Sequence, residues 1–164
     1  MRPESRTLEV DEDLEFQKRE WVAQRVGLGL LYVFVLAAAF GATGMGGVLS
    51  RGEAGRREEP LFVEYERFVR RGAASTVRLH LRASPGEVKF WVSAPYFEHV
   101  RVESIAPPVQ NVLVDGNRHI YTIQSGSGGV VVTLEVEPHS VGTIDGEAGL
   151  VGGPAVRFRQ LAFF

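Results

Sequence analysis

Cysteine is absent from all 164 residues of the chain. Its absence excludes disulfide bonds, thiolate metal ligands, a cysteine nucleophile and haem attachment through a C-x-x-C-H motif. A small domain without disulfides has to be stabilised by its own hydrophobic core or by a partner. We therefore expect this chain to depend on packing and association.

The chain also lacks a strong net charge, because 20 acidic residues nearly balance 18 basic residues, for a formal charge of -2. Without a basic field there is no general attraction to nucleic acid, so nucleic-acid binding is not expected. The charges are nevertheless segregated along the chain. The first 25 residues are densely charged, whereas residues 26–50 contain no Asp, Glu, Lys, Arg or His.

Catalytic and metal-binding signatures are missing as well. Serine, histidine and aspartate occur without a G-x-S-x-G motif, and the glycine-rich stretches lack the lysine of a phosphate-binding loop. The four histidines lie outside the apolar segment and show no H-x-H or H-x-x-x-H spacing; they are His80, His99, His119 and His139. The sequence thus predicts no enzyme activity, no cofactor, no metal site and no small-molecule substrate.

The uncharged segment at residues 26–50 is typical of a transmembrane helix. At about 1.5 Å per residue, its length suffices for a hydrocarbon core of roughly 30 Å. A cleavable signal peptide is the main alternative, and a buried core helix is another. The preceding tail is long and carries seven acidic residues between Glu4 and Glu20, unlike the short positive start of a signal peptide. An uncleaved anchor is therefore favoured.

The lengths of the flanking segments predict the orientation. Short loops follow the positive-inside rule, whereas long domains cross the membrane largely regardless of their charge. We expect the charged tail and juxtamembrane helix at 1–25 to stay in the cytoplasm, and the domain beyond the membrane to be periplasmic. The predicted location is the bacterial inner membrane. Trp21 fits the aromatic belt at the bilayer interface and is the predicted anchor there.

Small residues recur every four positions in the second half of the apolar segment. Such rows let another helix approach closely, which is how helices associate in lipid. The sequence thus predicts a docking face for the helix of an integral membrane partner, formed by two adjacent rows: Ala38, Ala42 and Gly46, and Ala39, Thr43 and Gly47.

After a polar linker at 51–60, the apolar pattern changes to a period of two, which is typical of half-buried strands. Val156, Phe158 and Gln160 are predicted to face inward from the last strand, and Asp115-Gly116-Asn117 indicates a hairpin. The residues from 61 to 164 thus predict a β-sandwich, immunoglobulin-like or fibronectin-like, with a small β-barrel as the alternative. About eight strands are expected, near 61–69, 76–82, 87–93, 99–105, 110–114, 118–124, 129–137 and 155–163.

Two parts of this domain are less regular. Residues 61–71 are compatible with the start of a helix as well as with a strand. Residues 139–154 contain five glycines and are predicted to form a long loop, either a mobile surface loop or a functional one.

Aromatic residues are the remaining candidates for partner contacts. Trp91, Tyr96 and Phe97 cluster in sequence, and Phe164 ends the sequence. An outward-facing Trp91 beside Tyr96 would form a contact patch. Burial of these rings in the core is the alternative.

Two motifs resemble those of a group of bacterial single-span membrane proteins with a small β domain beyond the membrane. They are EFQKREW at residues 15–21 and VEYERFVRRGA at residues 63–73. The resemblance implies the same architecture over almost the whole chain. It implies no activity and no site residues.

The sequence favours a non-catalytic accessory subunit of a larger integral membrane complex, for example of a respiratory or photosynthetic reaction-centre type. Its helix would dock against other subunits in the lipid bilayer, and its β domain would brace their periplasmic face. The alternative is an independent, membrane-anchored envelope module that binds a glycan, a peptide or a protein. A membrane-bound hydrolase is less favoured than either.

Overall fold

The computed structural model describes residues 14–39 and 50–164. The chain divides into two units, Met1–Ala38 and Ala39–Phe164. Helix α1 begins at Leu14 in the first unit and extends to Ala39. It therefore includes the charged juxtamembrane residues, as the sequence predicts.

Helix α1 is long and apolar enough to cross a membrane. The stretch Arg19–Ala39 meets this description by length and composition, a property that a signal sequence near the N-terminus shares. Between Trp21 and Leu36, its large apolar side chains are more than half exposed, including Leu30 at 66% and Phe34 at 65%. The predicted N-terminal apolar helix is thus confirmed.

The second unit is built almost entirely of β-strands. Eleven strands occur in the described residues, and a short helix, α2 (Ala94–Phe97), follows β5. The strands are β1 (Arg51–Ala54), β2 (Leu61–Glu66), β3 (Phe68–Arg70), β4 (Ser75–Leu81), β5 (Gly86–Ser93), β6 (Val100–Ala106), β7 (Asn111–Asp115), β8 (Arg118–Ser125), β9 (Val130–Pro138), β10 (Gly142–Leu150) and β11 (Ala155–Phe163).

These strands form two sheets. The five-stranded sheet has the order β1-β2-β4-β9-β6, and the six-stranded sheet has the order β3-β11-β10-β5-β8-β7. The pairing of β3 with β11 is parallel, and the other described pairings are antiparallel. The inner faces of both sheets contribute to a single hydrophobic core. The predicted β-sandwich is confirmed, and the barrel alternative is wrong because each sheet keeps two edges.

The alternation of apolar and polar residues explains this core. On β4, Val77, Leu79 and Leu81 are at most 2% exposed, whereas the residues between them are more accessible. On β11, Phe158 is 4% exposed and lies between the exposed Arg157 and Arg159, and Gln160 is fully buried. A shift of one residue would bury those arginines, so the strand orientation is strongly specified.

The hairpin at Asp115-Gly116-Asn117 also forms as predicted. Asp115 pairs with Arg118 across a turn of two residues. Gly116 occupies the first turn position with φ of 55°, a conformation that suits glycine and matches the twist of the flanking strands.

Two predictions for the β unit are wrong, and one alternative left open by the sequence is decided. The linker at 51–60 contains β1, and Ser50, which was assigned to the membrane segment, is 1% exposed within the β unit. The segment 61–71 contains strands β2 and β3, so the strand predicted there is confirmed and the helix alternative is wrong. The loop predicted at 139–154 contains the nine-residue strand β10. With β1, β10 and the division of the first predicted strand into β2 and β3, the number of strands rises from eight to eleven.

Cross-strand aromatic rings explain why a glycine-rich segment forms β10. Glycine weakens a strand because it has no side chain to pack. Gly146 pairs with Phe158 and Gly149 pairs with Trp91, and each ring lies against the glycine opposite it. A ring of this kind supplies the apolar cover that glycine lacks.

Replacing Phe158 by alanine should lower the free energy of unfolding by about 3–5 kcal/mol, because it removes a buried ring. Leu161→Ala on the same strand is the matched control, since Leu161 is 46% exposed and its loss should cost at most about 0.5 kcal/mol. Urea unfolding of the Trp21→Phe protein, followed by Trp91 fluorescence, measures both. Equal losses for the two variants would contradict the assigned orientation of β11.

Candidate interaction surfaces

Trp91 is buried rather than presented to a partner. It lies between the core residues Phe90 and Val92 on β5, so its ring is directed to the outer face of the sheet, yet only 4% is exposed. A Cβ atom on Gly149 would lie 2.6 Å from Trp91 Cε2, which shows how closely the ring covers the β10 backbone. The guanidinium of Arg118 lies 3.9 Å from the ring centroid. The predicted role of Trp91 as a contact residue is therefore wrong.

Tyr96 is also wrong as a contact residue, because it is fully buried. Its hydroxyl donates a hydrogen bond of 2.8 Å to Gln160 Oε1, and Gln160 Nε2 donates one of 2.8 Å to the carbonyl of Glu66. Burial raises the pKa of Tyr96 above its usual value, so the phenol stays neutral at physiological pH. These bonds join α2 to both sheets and give Tyr96 a structural role.

The other two aromatic candidates are more accessible. Phe97 is half-buried and stacks on His119, with 4.7 Å between the ring centroids. Phe164 is 83% exposed. Of the four aromatic contact residues predicted from the sequence, Phe164 is thus the one whose ring is freely presented.

The predicted helix face lies mostly outside the described residues. Ala38 is half-exposed and Ala39 is exposed at the end of α1. The predicted interface anchor, Trp21, is 54% exposed, and the Arg25 guanidinium lies 3.5 Å from its ring centroid. The residues of the predicted face that fall outside the described part of the chain are Ala42, Thr43, Gly46 and Gly47.

The histidines make local contacts within the β unit. His99 Nδ1 lies 3.1 Å from Ser140 Oγ, and His139 Nε2 lies 2.9 Å from the carbonyl oxygen of Glu98. These contacts tie the loop after β9 to the segment after α2. In the described residues, no group of three or more His, Asp or Glu side chains is placed to hold a metal ion.

An exposed apolar edge is the surface that the sequence did not reveal. Strand β7 is the last strand of the six-stranded sheet and pairs with β8 along one side. Its central residues, Val112, Leu113 and Val114, are 47%, 57% and 62% exposed. The run of apolar residues predicted a strand here. Its position at a sheet edge depends on the order of the strands, which the sequence does not show. Unpaired edges of this kind accept strands from other chains.

A charged depression of about 260 Å³ lies over β1, β2 and β4. Arg57 pairs with Glu53 there, and His80 lies 3.4 Å from Glu64. Its charged and aromatic lining residues are Arg51, Glu53, Arg57, Glu64, Tyr65, Glu66 and Arg78.

A shallower groove of about 600 Å³ runs along β10 and β11. Arg159 Nε lies 2.6 Å from Asp145 Oδ1, and this carboxylate raises the pKa of Arg159. Arg157 Nε lies 3.7 Å from Glu147 Oε1. The charges of the groove are therefore largely matched within the chain.

Comparison with known proteins yields a structural similarity alone. No family model and no curated protein matches this chain. A non-cellulosomal cohesin from the hyperthermophilic archaeon Archaeoglobus fulgidus has a similar fold, with a TM-score of 0.36 and 14% identity. The similarity covers 61% of this chain and 88% of the cohesin.

Gly149→Val should displace Trp91, because its Cβ occupies the space of the indole ring. We expect a loss of about 1–3 kcal/mol in the free energy of unfolding, the usual cost of overpacking. The emission of Trp91 should shift to the red, and acrylamide should quench it more strongly. Gly128→Val is the control, since a Cβ there meets nothing within 4 Å. An unchanged Trp91 emission in Gly149→Val would refute the described packing.

Proposed function

We propose that this protein is a membrane-anchored, non-catalytic accessory subunit of a larger integral membrane complex. The observation that carries the proposal is the apolar surface left uncovered in both units. The large apolar side chains of α1 are exposed between Trp21 and Leu36, and the β unit leaves β7 exposed at a sheet edge. Lipid and a partner subunit together would cover both surfaces.

The helix supplies the anchor and one contact with the partner. Its bulky side chains, such as Leu30 and Phe34, suit a lipid environment. The small-residue rows that start at Ala38 and Ala39 would let a partner helix approach closely enough for dispersion contacts.

The β7 edge supplies the second contact. A strand edge offers backbone N–H and C=O groups, and Val112, Leu113 and Val114 add apolar contacts on both faces. The occupant that fits is an extended segment of a neighbouring subunit, which would add a seventh strand to the six-stranded sheet.

The N-terminus is proposed to be cytoplasmic and the β unit periplasmic, in the inner membrane of a bacterium. Protease added to right-side-out spheroplasts should then digest accessible sites in the β unit and spare a tag at Met1. Loss of the Met1 tag with an intact β unit would overturn this topology.

Charging the edge should weaken association. Lysine on an edge strand opposes pairing with another strand, so Val112→Lys combined with Val114→Lys should strongly reduce the partners that co-purify in mild detergent. Val131→Lys is the matched control, because Val131 is 45% exposed but lies on β9, which is paired on both sides. Equal co-purification by both variants would exclude the edge as a contact.

The same co-purification assay tests the helix face. Gly46→Leu should weaken association more than Leu30→Ala, because a bulky side chain on a small-residue face prevents close approach. If both proteins retain their partners equally, the docking face is wrong even when the edge variants behave as expected.

An independent envelope binding module is the second candidate. The charged depression over β1, β2 and β4 favours it, because Arg51 and Arg78 form no ion pair with a carboxylate in the described residues. In this case the purified chain alone would bind a glycan or peptide, and Arg78→Ala would abolish binding. Co-purification with integral membrane subunits distinguishes the first candidate from the second.

A further inference from the structure

One end of the sandwich is where the chain enters the β unit. Strand β1 starts at Arg51 and runs away from this end, and Ser50 accepts a hydrogen bond of 2.6 Å from the Arg67 amide. The C-terminal residues of β11 lie at the same end, since the Arg71 amide donates to the Phe163 carbonyl at 2.8 Å. We call this surface the entry end and define it by residues 50–51, 67–73, 139–142 and 163–164.

Arginine dominates the charge of the entry end. Arg51, Arg67, Arg70 and Arg71 are all exposed, and within the described residues no carboxylate forms an ion pair with them. Two acidic residues also lie at this end. Glu66 pairs with Arg51 across β1 and β2, and the exposed Glu98 has its carbonyl oxygen 2.9 Å from His139 Nε2. The four arginines outnumber them.

The opposite end of the sandwich differs. Its loop between β1 and β2 contains two arginines and two glutamates in succession at 56–59, so the charges of this loop balance. Arginine is thus in excess over acidic residues at the entry end but not in this loop.

Exposed apolar side chains accompany the arginines. Phe164 is 83% exposed and Val141 is 43% exposed. Gly142 pairs with Ala162, so Val141 lies beside Phe163, and Phe164 is the next residue along the chain. Phe68 and Phe163 are half-buried beside them. Arginine interspersed with exposed aromatic and aliphatic side chains suits the headgroup region of a bilayer.

We propose that the entry end binds the surface of an anionic lipid bilayer. The arginines would contact lipid phosphates, and Phe164 and Val141 would enter the interfacial region. This inference rests on the anchored state in the proposed function. A lipid surface is favoured over a protein occupant because a segment of ten residues, 40–49, connects α1 to Ser50. An extended chain of ten residues spans at most about 35 Å, so the entry end stays within reach of the headgroups.

The test uses the full-length protein in bilayer nanodiscs with no other subunit present. Phe164→Trp in a Trp21→Phe background reports contact through quenching by brominated lipid chains, and the buried Trp91 serves as the internal reference. We expect strong quenching in bilayers that contain phosphatidylglycerol and weak quenching in pure phosphatidylcholine. Val131→Trp in the Trp21→Phe background, on the outer face of β9, should stay unquenched in both.

Removing two arginines should release the contact. Each arginine near an anionic surface contributes about a fivefold factor in binding, so Arg70→Gln with Arg71→Gln should lower the docked-to-undocked ratio about 25-fold. Arg56→Gln with Arg82→Gln, at the opposite end, should leave the ratio unchanged. Unaltered Trp91 emission shows that each variant is folded.

Quenching that is equal in both lipids, absent in both, or insensitive to Arg70 and Arg71 would overturn the inference. None of these results would affect the proposed anchor. Release of the chain from membranes by alkaline carbonate would instead overturn the anchored function and, with it, this inference. Retention after carbonate combined with lipid-independent quenching would overturn the lipid contact alone.

Discussion

Aromatic rings lying on glycines across neighbouring strands are the contacts on which this sandwich depends. Each glycine brings its strand close enough for the ring opposite to cover the backbone, and the ring gains apolar contact that a larger residue would block. The pairs are Gly52 with Tyr65, Gly146 with Phe158 and Gly149 with Trp91. Tyr65 and Phe158 also contact each other across the two sheets, with 5.4 Å between the ring centroids. The pairs therefore lie on β1 and β2 of one sheet and on β5, β10 and β11 of the other, and the contact between Tyr65 and Phe158 joins the two sheets.

A buried polar link completes this arrangement. Tyr96 and Gln160, and Gln160 and the carbonyl of Glu66, are joined by hydrogen bonds inside the core. A polar group without a hydrogen-bond partner there would lower the stability of the fold. Because the link directs Tyr96 inward, α2 packs against the end of the sandwich instead of presenting its aromatic ring to solvent. The surfaces that we propose for contacts are instead the β7 edge and the entry end.

These two surfaces differ in chemistry. The β7 edge is apolar and offers unpaired backbone groups, which suits a protein strand. The entry end combines arginine with a few exposed apolar side chains, which suits a charged bilayer surface. A subunit that used both would be held against the membrane at one end and against its partner along one side, with the helix as anchor.

The sequence by itself determined the apolar helix, the β class of the domain and the inward residues of the regular strands, because charge-free length and two-residue alternation are local properties. It also placed Phe158 and Gln160 on the inner face of β11. Only the tertiary structure decided that the glycine-rich segment at 142–150 is a strand, since its cover comes from rings on β5 and β11. The burial of Trp91 and Tyr96 and the edge position of β7 likewise depend on strand order, which pairs residues distant in the chain.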